Sequence, residues 1–290
     1  MFDLIYRFDP NSRHADTAPA DADEASRRLE DGNKQFAQML TAAFDPATVS
    51  QVLRFDADDL GLPREDGGPP TQKPFAAILG CSDARVPTEM IFGQACNDLF
   101  VVRVAGNVLG SECLGSLDYA LTNLEDSLKL VVVLGHSGCG AVTAAVDAFI
   151  DPTRYLEFAS SHPLRAVVDR IFVATRAAHS AILGLYGPSA EQSAGFRRAL
   201  IETTVVLNAA VTAATVQAEF SKRLSPDQRV VFGVYNLVTR RVKVSLESDD
   251  NVAIRMVPPP DDAAGFGRLG LLLASSSMVR ELLGAERGQL

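Results

Sequence analysis

Two short segments carry residue types able to do chemistry together. Gly80-Cys81-Ser82-Asp83-Ala84-Arg85-Val86-Pro87 sets a thiol, a carboxylate and a guanidinium close in sequence. Gly135-His136-Ser137-Gly138-Cys139-Gly140-Ala141 sets an imidazole three residues before a second thiol. Two thiolates and one imidazole form a soft to borderline donor set that suits Zn²⁺. Structural zinc sites are closed by four protein ligands, whereas catalytic sites use three and keep one position open. Cys81, His136 and Cys139 make three, and no second His-x-x-Cys or Cys-x-x-Cys closes the set. Asp83 is the nearest candidate for a fourth ligand. Arg85, two residues on, can pair with it through two parallel hydrogen bonds, so the pair would set whether the carboxylate faces the metal or the guanidinium. Taken singly, each feature has a plainer reading: a buried small thiol, a surface ion pair, a helix cap at Asp83. A Cys81–Cys139 redox pair is a further alternative, but it leaves His136, Asp83 and Arg85 without a role.

These residues need elements that bring them together. Four apolar runs, Phe75–Leu79, Leu99–Val104, Leu128–Leu134 and Val230–Tyr235, are each bounded by turn residues, as buried parallel strands are. Helical patterns lie between them at Gly115–Leu124 and Ala141–Phe149, and this alternation predicts an α/β fold with a mostly parallel central sheet flanked by helices. Ligands in such sheets bind beyond the carboxyl ends of the strands, where both segments fall; they converge if the first and third strands are neighbours. Arg241–Leu246 is expected to pair back as a C-terminal hairpin strand. Residues 1–22 read as a loose N-terminal arm. A helix follows from Asp23, with Ala25, Leu29, Phe36 and Leu40 at helical spacing and Gly32 against it. The Pro- and Gly-rich stretch 44–74 reads as connector. A single domain is expected over 23–256, with a helical insert at about 150–224 made of two long patterns, one starting near Ser161 and Pro163 and the other at Phe196–Leu224. A tail at 257–290 contains the apolar Leu269–Ala274 run, which needs a surface to cover it.

Composition narrows the function classes. The chain has 290 residues, 47% hydrophobic and 22% charged, and a mean hydropathy of +0.09. That composition excludes wholesale disorder, and no apolar run approaches a membrane span. The net charge of -9 and a pI near 5.0 argue against nucleic acid or an anionic membrane as partner. Four cysteines and no export signal lead to the expectation of reduced thiols and a cytoplasmic location, with confinement in a protein microcompartment left open. Cys96 and Cys113 read as packed or loop thiols. His14 reads as an arm residue, His162 as a surface residue at a helix start, and His179 as half exposed.

The two segments together resemble the β-class carbonic anhydrases. So do Glu89–Gln94, Asp98–Arg103, Ala105-Gly106-Asn107, Gly115–Ala120 and Val131–Ala141, while Leu29–Phe36 resembles that family's N-terminal helix. The likeness is dense over 72–146 and recurs at 230–246. It implies a zinc lyase that reversibly hydrates CO₂ to bicarbonate and a proton, by attack of zinc-bound hydroxide on CO₂. Cys81, His136 and Cys139 match the zinc ligands. Asp83 and Arg85 match the catalytic dyad, with Asp83 as an alternate fourth ligand. Gln72, Phe100, Ala105 and Tyr119 match substrate-pocket positions, to which the backbone N–H of Gly140 is added, and Arg103 has a match whose role is structural or beneath the site. The resemblance also implies a homodimer or higher homo-oligomer, with pocket residues coming from the neighbouring subunit. A protein partner docking through the arm or the tail is an open expectation. Two other readings keep the site: a hydrolase of carbonyl sulfide or carbon disulfide, and a non-catalytic zinc-stabilised scaffold. The chain departs from the family pattern at Ile78, where bicarbonate-regulated members carry Trp, so that regulation is not expected. It departs again at Asn236 and Arg240, where Asp and often Gly are usual, so the hairpin turn is expected to differ and the zinc site is not.

Overall fold

The computed structural model describes residues 2–8, 18–42, 49–57, 59–62, 68, 70–159, 162–245 and 255–284. In chain order the elements are β1 (Phe2–Phe8), α1 (Ala22–Ala42), β2 (Val49–Phe55), β3 (Ala76–Gly80), α2 (Thr88–Phe92), β4 (Leu99–Arg103) and α3 (Ser111–Asn123). They continue with β5 (Leu130–His136), α4 (Gly140–Ile150), α5 (Pro152–Ala159), α6 (His162–Tyr186), α7 (Phe196–Phe220), β6 (Arg229–Tyr235), β7 (Val242–Lys243), α8 (Ala263–Ala274) and α9 (Ser277–Leu283). Short 3₁₀ turns lie at Ala105–Asn107 and Pro188–Gln192.

Five strands form one sheet in the order β4-β3-β5-β6-β7. All its pairings are parallel except the β6–β7 hairpin. Alternation along each strand sorts side chains to two faces. Ala77 and Leu79 of β3, Val131 and Val133 of β5, and Val230, Phe232 and Val234 of β6 join one buried cluster under α3, α4, α6 and α7. Ala76, Ile78, Leu130, Val132, Leu134 and Val231 join the other, covered by α1 and α2. Both faces are dry, which is why these strands read as continuous apolar runs rather than as alternating ones.

On the second face, α1 buries Ala22, Ala25, Leu29, Phe36 and Ala37, and its start is capped by Asp21, whose carboxylate accepts the Glu24 N–H at 2.8 Å. Gly32 sits inside this helix for a steric reason: a Cβ there would lie 1.8 Å from the Phe92 carbonyl oxygen. The helix loses some propensity at this glycine and gains close contact with α2.

Several boundaries differ from those expected. Part of the stretch read as a loose arm, Phe2–Phe8, is a strand paired in parallel with Val49–Phe55, inside the stretch read as connector. Weighing Pro, Ala and Gly across whole windows hid two short runs rich in aliphatic and aromatic residues. The third strand of the expected set starts at Leu130 and runs through Gly135 to His136, so the imidazole ends the strand instead of following it. The hairpin strand is only Val242–Lys243; Leu246 lies outside the described residues, as do Ser161, His14 and the side chain of His162. The stretch read as an insert divides in two. The earlier helices α5 and α6 flank the domain, but α7 packs against β5 and β6 with most of its residues buried and is part of the core. In the tail, α8 and α9 fold onto α6 and α7, and Val257 pairs with Phe232 through two backbone hydrogen bonds of 2.8 and 3.1 Å.

The hairpin turn shows what the two departures from the family pattern do. Arg240 has a φ of 63°, a conformation glycine adopts at less cost. Asn236 accepts the N–H groups of Val238 and Thr239 at 2.9 Å each, and buried Asn33 of α1 donates to the Arg240 carbonyl at 3.0 Å. These bonds hold the turn without glycine.

Candidate metal centre

The register of β3 on β5 pairs Gly80 with Leu134. Cys81 is the next residue after Gly80, and His136 lies two beyond Leu134, so neighbouring strand ends deliver both donors. Cys139 follows at the N-cap of α4. The ligand atoms of Cys81, His136 and Cys139 all lie within 4.8 Å of one another, and all three residues are buried. The two sulfurs are 3.9 Å apart. His136 Nδ1 faces the Ser137 carbonyl at 3.0 Å, which fixes the ring. Its Nε2 is fully buried without a hydrogen-bond partner, an arrangement that costs free energy unless something fills it.

The sulfurs are electrostatically coupled. The Cys81 thiol is held well below its usual range, first by the hydrogen bond with Cys139 and then, against burial, by His136 and the N–H groups of Asp83 and Gly106. Cys139 is pushed up, first by its bond with Cys81 and then by burial. Two thiolates this close do not both form without a cation beside them. Zn²⁺ supplies that charge and takes both sulfurs deprotonated. The donor set and the orphaned imidazole nitrogen therefore fit zinc, with three protein ligands and room for a fourth.

Asp83 lies beside this group. Its carboxylate accepts Arg85 Nε at 2.9 Å and Nη2 at 2.7 Å, and the Arg85 backbone N–H at 2.9 Å. These bonds hold its carboxyl well below the usual carboxylate range, the Arg85 side chain contributing most. Asp83 Oδ2 is 3.8 Å from His136 Nε2, so the pair borders the position the orphaned nitrogen faces. Arg103 Nε donates to the Cys81 carbonyl at 2.9 Å and its Nη2 to the Asp83 carbonyl, so this residue shapes the Cys81–Asp83 loop from beneath. Ala105 opens the turn whose next residue, Gly106, donates its N–H to Cys81 Sγ at 3.4 Å. Gly140 is the first residue of α4, directly after Cys139.

Other expected site residues meet elsewhere. Gln72 Nε2 donates to the Tyr119 hydroxyl at 3.4 Å, and Tyr119 stacks on Phe100 with ring centroids 6.3 Å apart. Gln72 and Tyr119 are exposed. No hydrogen bond or ring contact among the described residues links this group to the three donors. Cys113 is buried and Cys96 exposed. His179 pairs with Glu191 at 2.7 Å and meets the rings of Phe149 and Phe196.

Two residues near the centre escaped the sequence reading. Glu202 of α7, nine-tenths buried, accepts the Gly138 N–H at 3.3 Å between the two ligands of the second segment. Burial pushes its carboxyl up, against that N–H. Asn208, also buried, donates to the Gly106 carbonyl at 2.8 Å. The available signal was a carboxylate and an amide within the apolar middle of a long helix, since buried polar groups require partners.

The family model described as "Carbonic anhydrase" matches residues 76–242. Carbonic anhydrase 2 of Mycobacterium tuberculosis is 55% identical over 82 residues, which are 28% of this chain and 39% of that protein. The carbonic anhydrase of Mycolicibacterium smegmatis is 40% identical over 124 residues, 43% of this chain and 52% of that protein. The chain thus spans two-fifths to half the length of these curated relatives. Among solved structures, the β-carbonic anhydrase CcaA aligns with a TM-score of 0.45 at 26% identity, covering 65% of this chain and 85% of that one. With more than half of its length matched and the sheet order delivering a Cys–His–Cys group to one point, the chain belongs to the β-class carbonic anhydrase family.

Proposed function

We propose that this chain reversibly hydrates CO₂ to bicarbonate and a proton at a zinc ion held by Cys81, His136 and Cys139. One observation carries the reading: three buried soft and borderline donors within 4.8 Å of one another, the imidazole presenting an unpartnered Nε2. Bound there, zinc acts as a Lewis acid that turns water into a nucleophile near neutral pH. Two thiolates leave less residual charge on the metal than three imidazoles do, so activity is expected to favour somewhat alkaline pH.

The chain's own groups do the rest. Asp83, ionised and steered by Arg85, accepts a hydrogen bond from the attacking water and orients it. Released from Arg85, the same carboxylate would serve as a fourth ligand. The apolar side of Ala105 leaves space for a small uncharged substrate, and the N–H of Gly140 donates to its oxygen. Gln72, Phe100 and Tyr119 complete a pocket only across an interface, so the active unit is a homodimer or a larger homo-oligomer. The support is that Gln72 and Tyr119 lie exposed beside half-buried Phe100 of β4, the open edge of the five-stranded sheet, and an edge strand calls for cover. A reducing, cytoplasmic setting belongs to the same reading, because thiols 3.9 Å apart must stay reduced to hold a metal.

The test is stopped-flow CO₂ hydration across neutral and alkaline pH, with zinc determined on the same sample. Fast turnover rising with pH at one zinc per chain supports the proposal. Full zinc with no turnover at any pH overturns it.

A further inference from the structure

Helix α7 contributes no expected ligand, yet it touches the loop that carries His136 and Cys139 and the turn whose N–H bonds the third ligand, Cys81. Glu202 accepts the N–H of Gly138, midway between His136 and Cys139. Six residues on, about 9 Å along the helix, Asn208 donates to the carbonyl of Gly106, and Gly106 donates its own N–H to Cys81 Sγ. Both loops need such a hold. Gly138 and Gly106 take φ values of 61° and 66°, and Asn107 follows at 45°, a conformation that costs a residue with a side chain free energy. Gly106 is also hemmed in: a Cβ there would lie 3.0 Å from Ala141 Cβ and 3.0 Å from Ile171 Cδ1. The loops are thus tightly turned segments tied to a buried helix by two side-chain hydrogen bonds. A carboxylate and an amide are costly in the interior, and here each meets a backbone group that would otherwise lack that bond.

We infer that Glu202 and Asn208 are positioning residues of the metal centre, bracing the His136–Cys139 loop and the Gly106 N–H···Cys81 bond from one rigid helix. The inference rests on the proposed metal site and assigns the brace to α7, whose Glu202 and Asn208 lie outside the motif segments they contact. Glu202 acts through its acceptor oxygen rather than its charge, so an amide at the same place keeps the function. Asn208 acts through the N–H···S bond, which withdraws electron density from the sulfur and sets how strongly it binds a metal.

The test uses the full-length chain and two readouts besides turnover: the rate at which bound zinc is lost to a chromophoric chelator, and the thiolate-to-metal charge-transfer absorption of the Co²⁺-substituted protein. Wild type is measured first; if it retains neither metal, the site reading and the brace both fall. If it retains zinc, Glu202→Ala and Asn208→Ala are expected to release it roughly 10–100-fold faster, the usual effect of removing an outer partner of a ligand. Asn208→Ala is also expected to shift the Co²⁺–thiolate band, and Glu202→Gln to return release close to the wild-type rate. Circular dichroism establishes that each variant is folded. Folded alanine variants with wild-type release and an unmoved band overturn the brace while leaving the site reading intact. Glu202→Gln releasing zinc as fast as Glu202→Ala overturns the acceptor role. Should Asn208→Ala fail to fold, the Glu202 pair decides the inference alone.

Discussion

The Cys81–His136–Cys139 group and the Gln72–Phe100–Tyr119 group were both expected to serve one reaction, and the fold treats them in opposite ways. The first is buried, built within one chain, and tied down by Ser137, Arg103, Gly106 and α7. The second lies at a sheet edge with Gln72 and Tyr119 exposed and Phe100 half-buried, its members joined by one 3.4 Å hydrogen bond and a ring stack. The difference follows from what each must do. A metal site needs its donors held in place, a condition a single packed core meets. A pocket for a small neutral molecule can be assembled from surfaces that meet on association. The metal centre is built by the fold of one chain, and the proposed pocket is left for association to complete.

That contrast can be broken, beginning where the largest effect is expected. Cys139→Ser removes one thiolate from the closed group, and both zinc content and CO₂ hydration should be lost together; metal analysis and stopped flow on the same preparation read this. Asp83→Asn keeps the three donors, removes the negative charge that Arg85 pairs with, and turns one carboxylate oxygen into a donor. Hydration should fall by about 100-fold, the low end for a lost proton-transfer partner, with zinc retained at one per chain. Tyr119→Arg, at a residue 48% exposed, adds charge at the proposed interface. Sedimentation should show a shift from dimer toward monomer and hydration should drop, again with zinc retained; a wild-type chain that sediments as an active monomer would remove the distinction between the two groups.

The smallest effect concerns Glu202 and pH. Burial raises its carboxyl in the folded protein above the value of about 4.3 in an unfolded chain. Stability from this group is therefore fully present in acid and is lost as the pH rises through the folded value. Glu202→Gln removes that dependence. Denaturant unfolding of the metal-free proteins should find the variant more stable than wild type at neutral pH, with the gap closing on acidification.

The strands that position the site were legible because each is apolar along its whole length and ends at a turn. Their neighbour relation, on which convergence depended, was not, since the order β4-β3-β5-β6-β7 depends on packing over long sequence separations. Glu202 and Asn208 stayed hidden because a long helix rich in Val and Ala reads as core and gives no hint of which loops its polar groups reach. Phe2–Phe8 and Val49–Phe55 were obscured by their surroundings, since each finds its partner across forty-odd residues and neither has a local signal as strong as the proline-rich sequence beside it. Gly32 looked like a weakness in a helix, and its meaning appears only where the Phe92 carbonyl passes.

The measurement that bears most directly on the central claim is X-ray absorption at the zinc edge of the purified, metal-replete protein. The account predicts two sulfur scatterers near 2.3 Å and two nitrogen or oxygen scatterers near 2.0 Å, distances usual for such ligands. A shell without sulfur, or one with four sulfurs, would contradict it.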